Sequence, residues 1–324
     1  MMKIVRLVLV GCGYWGRNLF RVFRDRPGCE VVRICDPSPE AGTFARQRGV
    51  EYRGELDLSG ADAALIASPP ASHAALAGAA IEAGLHAWVE KPMAASVADA
   101  DRLVARAAGA GRVLFVDHTF AYHPAVRELA RRVRAGELGV LRSYDSDRCH
   151  LGGVQAEADV LWDLAPHDLS ILDEIARPRI ARVQATATHS ISGQPTRAQA
   201  TLFCDDGMVA HLRLDWQAPV KVRRIVIGGS LRSAVYDEAE AAEKLKIYDR
   251  GVVSPYEARV SYRLGDALIP RLEVREALDA AAEEFVAAIM EGRRPRTGGE
   301  EGLRVVRVLE ALSRSAREER TVTL

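Results

Sequence analysis

The stretch LVLVGCGYWGRN, residues 7–18, restricts the fold of this chain more than any other. Four apolar residues run straight into Gly11, Gly13 and Gly16, and a helical pattern starts before the last of them. In a strand that turns directly into a helix, Gly11 permits the tight turn. Gly13 lets the backbone approach a pyrophosphate, and Gly16 lets the helix pack closely on the strand. The helix N-terminus, with Tyr14 and Trp15 in its first turn, then presents N–H groups to the phosphates. Asp36 closes the next apolar run, VVRIC, at about the 20-residue offset of the carboxylate that binds the adenosine ribose. A carboxylate there favours NAD and repels the 2′-phosphate of NADP. Pro37 follows it, so no Arg sits beside it to reverse that preference. Arg33 and Ser38 lie near enough in sequence to keep NADP as the alternative.

The pattern that follows is a series of short β-rich runs separated by helices. Ile4–Val10, VVRIC, AALIAS, HAWVE and RVLFV read as strands; 15–23, 40–48, 72–83 and 97–108 read as helices. This alternation means βαβ units and a parallel sheet. Gly84 and Gly109 look like helix-ending caps. After about residue 120 the pattern changes. A helix over 124–134, opened by a proline, is followed by VLRSYDSDRC, IARVQATATHS, AQATLFC, MVAHLRLDW, RRIVIGG and SAVYDE. CDDGM offers an Asp-Gly turn between two of these runs. Helices over 275–291 and 300–316 come near the end. The fold class expected is α/β. An N-terminal Rossmann domain over 1–120 carries the parallel sheet. An α+β domain over 121–324 carries a large, open, mostly antiparallel sheet and serves substrate binding and oligomerisation.

Composition excludes several functions. The 44 basic and 44 acidic side chains cancel, which argues against a nucleic-acid binder working through a broad basic face. No window approaches the roughly 18 apolar residues of a membrane span. Cys12, Cys29, Cys35, Cys149 and Cys204 are scattered, odd in number and without metal-ligand spacing. That usage fits a reducing compartment, so a cytoplasmic protein with no metal centre is expected.

Two segments concentrate ionisable groups at strand or helix ends. AWVEKPMA ends a strand with Glu90, Lys91 and Pro92, and ligands of open parallel sheets sit at the carboxyl ends of their strands. LIASPPASH also ends a strand, so Ser68, Pro69 and His73 should line the cofactor, His73 as a helix-start residue rather than a catalyst. VLWDLAPHDLSIL, residues 160–172, embeds Asp163, His167 and Asp168 in an apolar run, where ionisable groups must be paired or used. Pro166 suits a first helical turn, with Asp163 at the helix entrance and His167 about one turn on, facing the same way. From these residues alone, Asp163 as a mere N-cap and His167 as a satisfied core residue remains open.

In their order and spacing, G-x-G-x-x-G, the strand-terminal EKP and the later D-x-x-x-H resemble the signature of the glucose–fructose oxidoreductase/inositol dehydrogenase (Gfo/Idh/MocA) family over nearly the whole chain. The resemblance implies a catalytic group of Lys91, Asp163 and His167. Within the family, GYWGRN, DHTFAYHPAVR and WDLAPHDLSIL look closest to a subgroup acting on nucleotide-linked sugars, although VLW stands where a glycine-rich run usually precedes the Asp.

The reaction so implied is reversible hydride transfer between the nicotinamide and a secondary alcohol or ketone of a sugar or nucleotide sugar. His167 serves as general base, Lys91 stabilises the alkoxide and Asp163 orients His167; an exchange of the Lys and His roles stays open. Tyr122, Arg148, His150, Trp162, Asp163, His167 and Lys221 form the expected substrate contacts. Asp168 is a further pocket candidate, and Lys221 with Arg223 and Arg224 makes a basic cluster suited to a diphosphate. The rival readings are a cyclitol or aminocyclitol dehydrogenase and a non-catalytic dinucleotide-sensing regulator. The broad open sheet points to a homodimer or homotetramer.

Overall fold

The computed structural model describes residues 4–152, 158–189, 193–254 and 261–324. The chain divides into two compact units, one formed by Met1–Tyr122 with Glu276–Arg307, the other by His123–Arg275 with Val308–Leu324. The first unit therefore takes in the stretch 276–307, which the expected division near residue 120 assigns to the second domain.

The first unit is wound as β1 (Val5–Val10), α1 (Tyr14–Arg24), β2 (Cys29–Cys35), α2 (Pro39–Gln47), β3 (Glu51–Arg53), β4 (Ala63–Ile66), α3 (Pro70–Glu82), β5 (His86–Glu90), α4 (Val97–Ala110) and β6 (Leu114–Asp117). Its six strands are ordered β3-β2-β1-β4-β5-β6. Every pairing among them is parallel. β4 and β6 are buried along their whole length, as expected of strands covered on both faces. The order runs outward from β1 in both directions, so the carboxyl ends of β1 and β4 form the switch point at which such sheets bind ligands. Gly109 lies inside α4; the helix instead ends on Gly111, whose φ of 63° is left-handed.

The second unit starts with α5 (Pro124–Arg134), β7 (Leu141–Leu151) and α6 (Val160–Ile175). It continues with β8 (Ile180–His189), β9 (Pro195–Cys204), β10 (Val209–Asp215), β11 (Gln217–Gly229), β12 (Ser233–Asp237), β13 (Leu245–Ser254) and β14 (Ser261–Leu268). The chain then returns to the first unit with α7 (Ala277–Glu291). Helix α8 (Gly299–Glu318) is shared between the units, and β15 (Val322–Thr323) ends the second.

The nine-stranded sheet of the second unit runs β14-β13-β12-β11-β7-β10-β9-β8-β15. Only β7 and β10 pair in parallel; the other pairings are antiparallel. Cys204–Met208 makes the expected tight turn, with Gly207 at φ 85°. Strands β8 to β10 alternate over their middle residues. Val183, Ala185, Ala200, Leu202, Leu212 and Leu214 are buried, whereas Gln184, Gln199, His211 and Arg213 are exposed. One face is thus apolar and the other polar.

In the first unit, Trp88 of β5 stacks on Phe115 of β6 with ring centroids 4.2 Å apart, and Phe285 of α7 meets Trp88 edge-on at 5.6 Å. That aromatic contact, worth about 0.5–1.5 kcal/mol beyond burial, is why α7 joins this core.

Candidate active site

The three glycines of the first turn each meet a different constraint. A Cβ on Gly11 would lie 2.6 Å from the Ala67 carbonyl oxygen, and one on Gly16 would lie 2.0 Å from that of Gly11. Both are closed by backbone. Gly13 has nothing within 4 Å of its ideal Cβ. It is also the N-cap of α1, and no side chain caps that helix. An open cradle faced by uncapped helical N–H groups fits the pyrophosphate of a dinucleotide. Tyr14 and Trp15 are exposed beside it.

Asp36 follows the end of β2 and braces this loop. Its Oδ2 accepts from the Cys12 backbone N–H at 2.7 Å, and its Oδ1 from that of Ser38 at 2.8 Å. Of the residues that kept NADP open, Arg33 is bound to Glu51 and to the carbonyls of Asp57 and Ser59. The Ser38 hydroxyl caps α2 by accepting from Ala41. Both side chains are thus engaged, which leaves the carboxylate of Asp36 to set the preference.

The ends of β4 and β5 carry the next group. Ser68 and Pro69 lead into α3, and the His73 ring is buried with Nδ1 2.8 Å from the Pro92 carbonyl and Nε2 2.8 Å from that of Ser68. His73 therefore ties the two strand ends together. Burial lowers its pKa from the usual histidine value, against the opposing effect of the two carbonyls. Lys91 is half-buried immediately after β5, and the Lys91–Pro92 bond is cis. Glu90 is buried in register with Asp117 of β6. Two cavities of about 390 Å³ open instead at the amino-terminal end of β5, around His86 and Arg112. They are remote from the glycine loop along the strand direction.

Helix α6 resolves the cluster at 160–172. It begins earlier than its proline suggests: Asp159 is the N-cap and accepts from the Trp162 N–H at 3.0 Å. Pro166 lies inside the helix, where its missing N–H leaves the Trp162 carbonyl without the usual intrahelical donor. Asp163 sits in the first turn and His167 one turn on. From Val160 to Leu172, the residues that are not buried are Trp162, Asp163 and His167. Asp168 faces the opposite way and is wholly buried against Arg148, whose Nε lies 3.1 and 3.0 Å from its two carboxylate oxygens. Sequence spacing makes the two aspartates look alike; their helical faces separate them.

The remaining expected contacts divide in the same way. Arg148 is 3% exposed and also reaches Glu238, so its guanidinium is committed to the interior. Tyr122 is buried with its hydroxyl 2.9 Å from Thr297 Oγ1, in the core rather than on a pocket wall. Trp162 donates from Nε1 to Ser313 at 2.8 Å and has only its ring face to offer. His150 lies in the field of Arg223, Asp163, Lys221 and Arg148, and its pKa is lowered, first by burial and then by Arg223. Arg223 is partly buried and pairs with Glu238, whereas Lys221 and Arg224 are exposed, Arg224 lying 3.8 Å from Asp147. Two residues of interest were not foreseen. Trp216 donates from Nε1 to Asp163 Oδ2 at 3.1 Å, and Asp117 shares the buried strand end with Glu90. The one available signal was an aspartate or tryptophan closing an apolar strand, as in LFVD and RLDW.

A glycine-lined dinucleotide cradle on a parallel sheet, followed by an open-sheet domain, defines an NAD-binding oxidoreductase. Residues 5–118 match the model described as "Oxidoreductase family, NAD-binding Rossmann fold", and residues 126–235 match the "GFO/IDH/MocA C-terminal domain". The chain belongs to the Gfo/Idh/MocA family. It is 29% identical to D-apiose dehydrogenase of Paraburkholderia graminis, over 98% of this chain and 88% of that protein. It is also 29% identical to UDP-N-acetylglucosamine 3-dehydrogenase of Acidithiobacillus ferrooxidans, over 93% and 94%. The solved structure of the latter enzyme superposes with a TM-score of 0.85 and 26% identity, covering 98% of this chain and 99% of that one. Among the described residues, no helix is long and apolar enough to cross a membrane, and no cluster of metal-ligating side chains occurs.

Proposed function

We propose that this protein is an NAD-dependent dehydrogenase, or ketosugar reductase in the reverse direction, acting on a nucleotide-linked sugar. The observation that carries the reading is the face of α6: Asp163 and His167 stand on the helix's unburied side, while their neighbours Leu164, Ala165, Pro166 and Asp168 are buried. Two ionisable groups kept out of an otherwise apolar packing surface are available for chemistry.

NAD, when bound, supplies the acceptor for the hydride that leaves the carbinol carbon. His167 takes the hydroxyl proton as the C–H bond breaks, so the alcohol loses one hydride and one proton and becomes a ketone. Lys91 stabilises the negative charge on that oxygen, an interaction worth most where water is excluded. Asp163 orients His167 and supports its charged form. The glycine loop, Asp36 and the Ser68–Pro69 turn hold the cofactor. Support for a nucleotide sugar comes from the relative that acts on UDP-N-acetylglucosamine and from exposed Lys221 next to the His150 strand. Because Arg223 and Arg224 already face carboxylates, a free sugar or cyclitol is the second reading. We also infer a homodimer or homotetramer that covers the polar face of the nine-stranded sheet, to be read by light scattering on the eluted protein.

The test is a panel of nucleotide sugars, free sugars and cyclitols assayed for NADH formation, with Lys91→Met and His167→Asn run in parallel. Each variant should lower kcat by about 10²–10⁴-fold. Tight NAD binding without turnover of any panel member would favour a sensing role instead.

A further inference from the structure

Glu90 and Asp117 are opposite one another at the carboxyl ends of β5 and β6. Their exposures are 7% and 2%, so both carboxyl groups are out of water. Asp117 Oδ1 accepts from the Thr119 hydroxyl at 2.6 Å. Glu90 Oε1 and Asp117 Oδ2 have no hydrogen-bond partner. Two adjacent carboxylates, each with an unsatisfied oxygen, would suffer both desolvation and mutual repulsion if both were ionised. Sharing one proton removes the repulsion and leaves a single negative charge. Lys91 and His118 directly follow the two carboxylates in sequence, and the charge of Lys91 acts on both. Burial raises Glu90 well above the usual carboxylate range, and the charge of Asp117 adds to the effect. Burial raises Asp117 as well, while the hydrogen bond from Glu90 opposes it. In both cases the Lys91 ammonium favours the ionised form.

We propose that Glu90 and Asp117 hold one proton between them and that their remaining negative charge is the buried counter-ion that positions the Lys91 ammonium. Glu90 is thus a member of a positioning pair rather than a direct cofactor ligand. His73 completes the arrangement from the other side of the turn by gripping the Pro92 carbonyl, so that the backbone and the charge of residue 91 are both fixed. The inference rests on the reading of Lys91 given above, and the two can fail separately.

The experiment combines infrared spectroscopy with kinetics on the intact protein. At neutral pH the wild type should show the carbonyl stretch of one neutral, buried carboxylic acid, and that band should vanish in Glu90→Gln and in Asp117→Asn. Its absence from the wild type overturns the proposal whatever the kinetics show. The double variant Glu90→Gln/Asp117→Asn, which removes the charge, should lower kcat by about tenfold with KM for NAD unchanged, as expected for loss of one charge-assisted interaction. Each single variant leaves one carboxylate beside Lys91, so each should lower kcat less than the double variant does. Single variants that lose as much as the double variant, with NAD binding weakened in all three, would mean a purely structural pair and would also overturn it. Full activity in Lys91→Met would remove the reading of Lys91 while leaving the infrared band to decide the shared proton.

Discussion

The indole Nε1 of Trp216 donates to Oδ2 of Asp163 at 3.1 Å, tying the residue after β10 to the first turn of α6. Trp216 is 1% exposed, so its ring cannot swing away. A carboxylate held on one oxygen keeps a fixed orientation for the other, and partners of this kind typically matter by about 10–100-fold when removed. Trp216→Phe keeps most of the buried ring and deletes the donor. It should lower kcat by about tenfold while KM for NAD stays within twofold, since the cofactor cradle is in the other unit. An unchanged kcat in a variant of unchanged melting temperature would show that Asp163 needs no such support.

The Arg148–Asp168 pair is a prediction about stability. Both side chains are enclosed, at 3% and 0% exposure, and Tyr144 donates to the Asp168 carbonyl beside them at 3.0 Å. Removing one partner leaves a buried charge uncompensated, which destabilises a protein by about 3–5 kcal/mol. Arg148→Met and Asp168→Leu should each lose about that much in urea unfolding. The double variant should recover a large part of it, because Glu238, which also meets Arg148, keeps Arg223 as a partner. Additive losses would show that the two do not act as a pair.

The features visible in the sequence are those whose chemistry is local. Gly11 and Gly16 are readable because a turn that tight admits no Cβ there, Gly13 because a backbone that approaches a pyrophosphate needs open space, and α5 is readable over its full length because a proline opens it and a helical apolar pattern follows. The roles of Arg148 and Asp168 were not readable: twenty positions separate them, and only the packing of β7 under α6 makes them partners. The sequence places the start of α6 too late, because Pro166 suits an opening turn, whereas Asp159 is the cap and the proline is accommodated inside. The run LKIYDRGVVS did not read as a strand, since charge and glycine interrupt its alternation; it forms β13 through pairing with β12 and β14. Nor does chain order reveal that α7 returns to the first core, which depends on where Phe285 finds its aromatic neighbours.

Asp36 makes a prediction about cofactor choice. Its two oxygens already accept the Cys12 and Ser38 N–H groups, so its position is set before any ribose arrives. Asp36→Ala removes a charged acceptor and the repulsion of a 2′-phosphate together. The Kd for NADH should rise by about 10–100-fold, the range for a hydrogen bond to a charged group, and the ratio of NAD to NADP efficiency should fall. Fluorescence titration with both reduced cofactors measures this. A variant that still prefers NAD by the wild-type ratio would place the discrimination elsewhere.

His123 makes α5 sensitive to acid. It is the N-cap of that helix, its Nδ1 accepting from the Ala125 N–H at 3.1 Å, and its ring packs 5.5 Å from that of Tyr236. An imidazole that accepts at Nδ1 cannot carry a proton there, so protonation forfeits the cap. Burial lowers its pKa in the folded state and the Lys244 charge adds to this, while Glu238 opposes. The unfolded chain, with an ordinary value near about 6.5, therefore binds the proton first as pH falls. Below that point the unfolded state holds more protons, so unfolding free energy drops with falling pH and recovers above it. His73 and His150 have lowered values too and contribute in the same direction. His123→Asn preserves a capping acceptor without the titration. Its urea midpoint, followed between about pH 5 and pH 8, should fall less steeply toward acid than that of the wild type. If the two curves stay parallel across that range, His123 does not carry the acid sensitivity of the helix it caps.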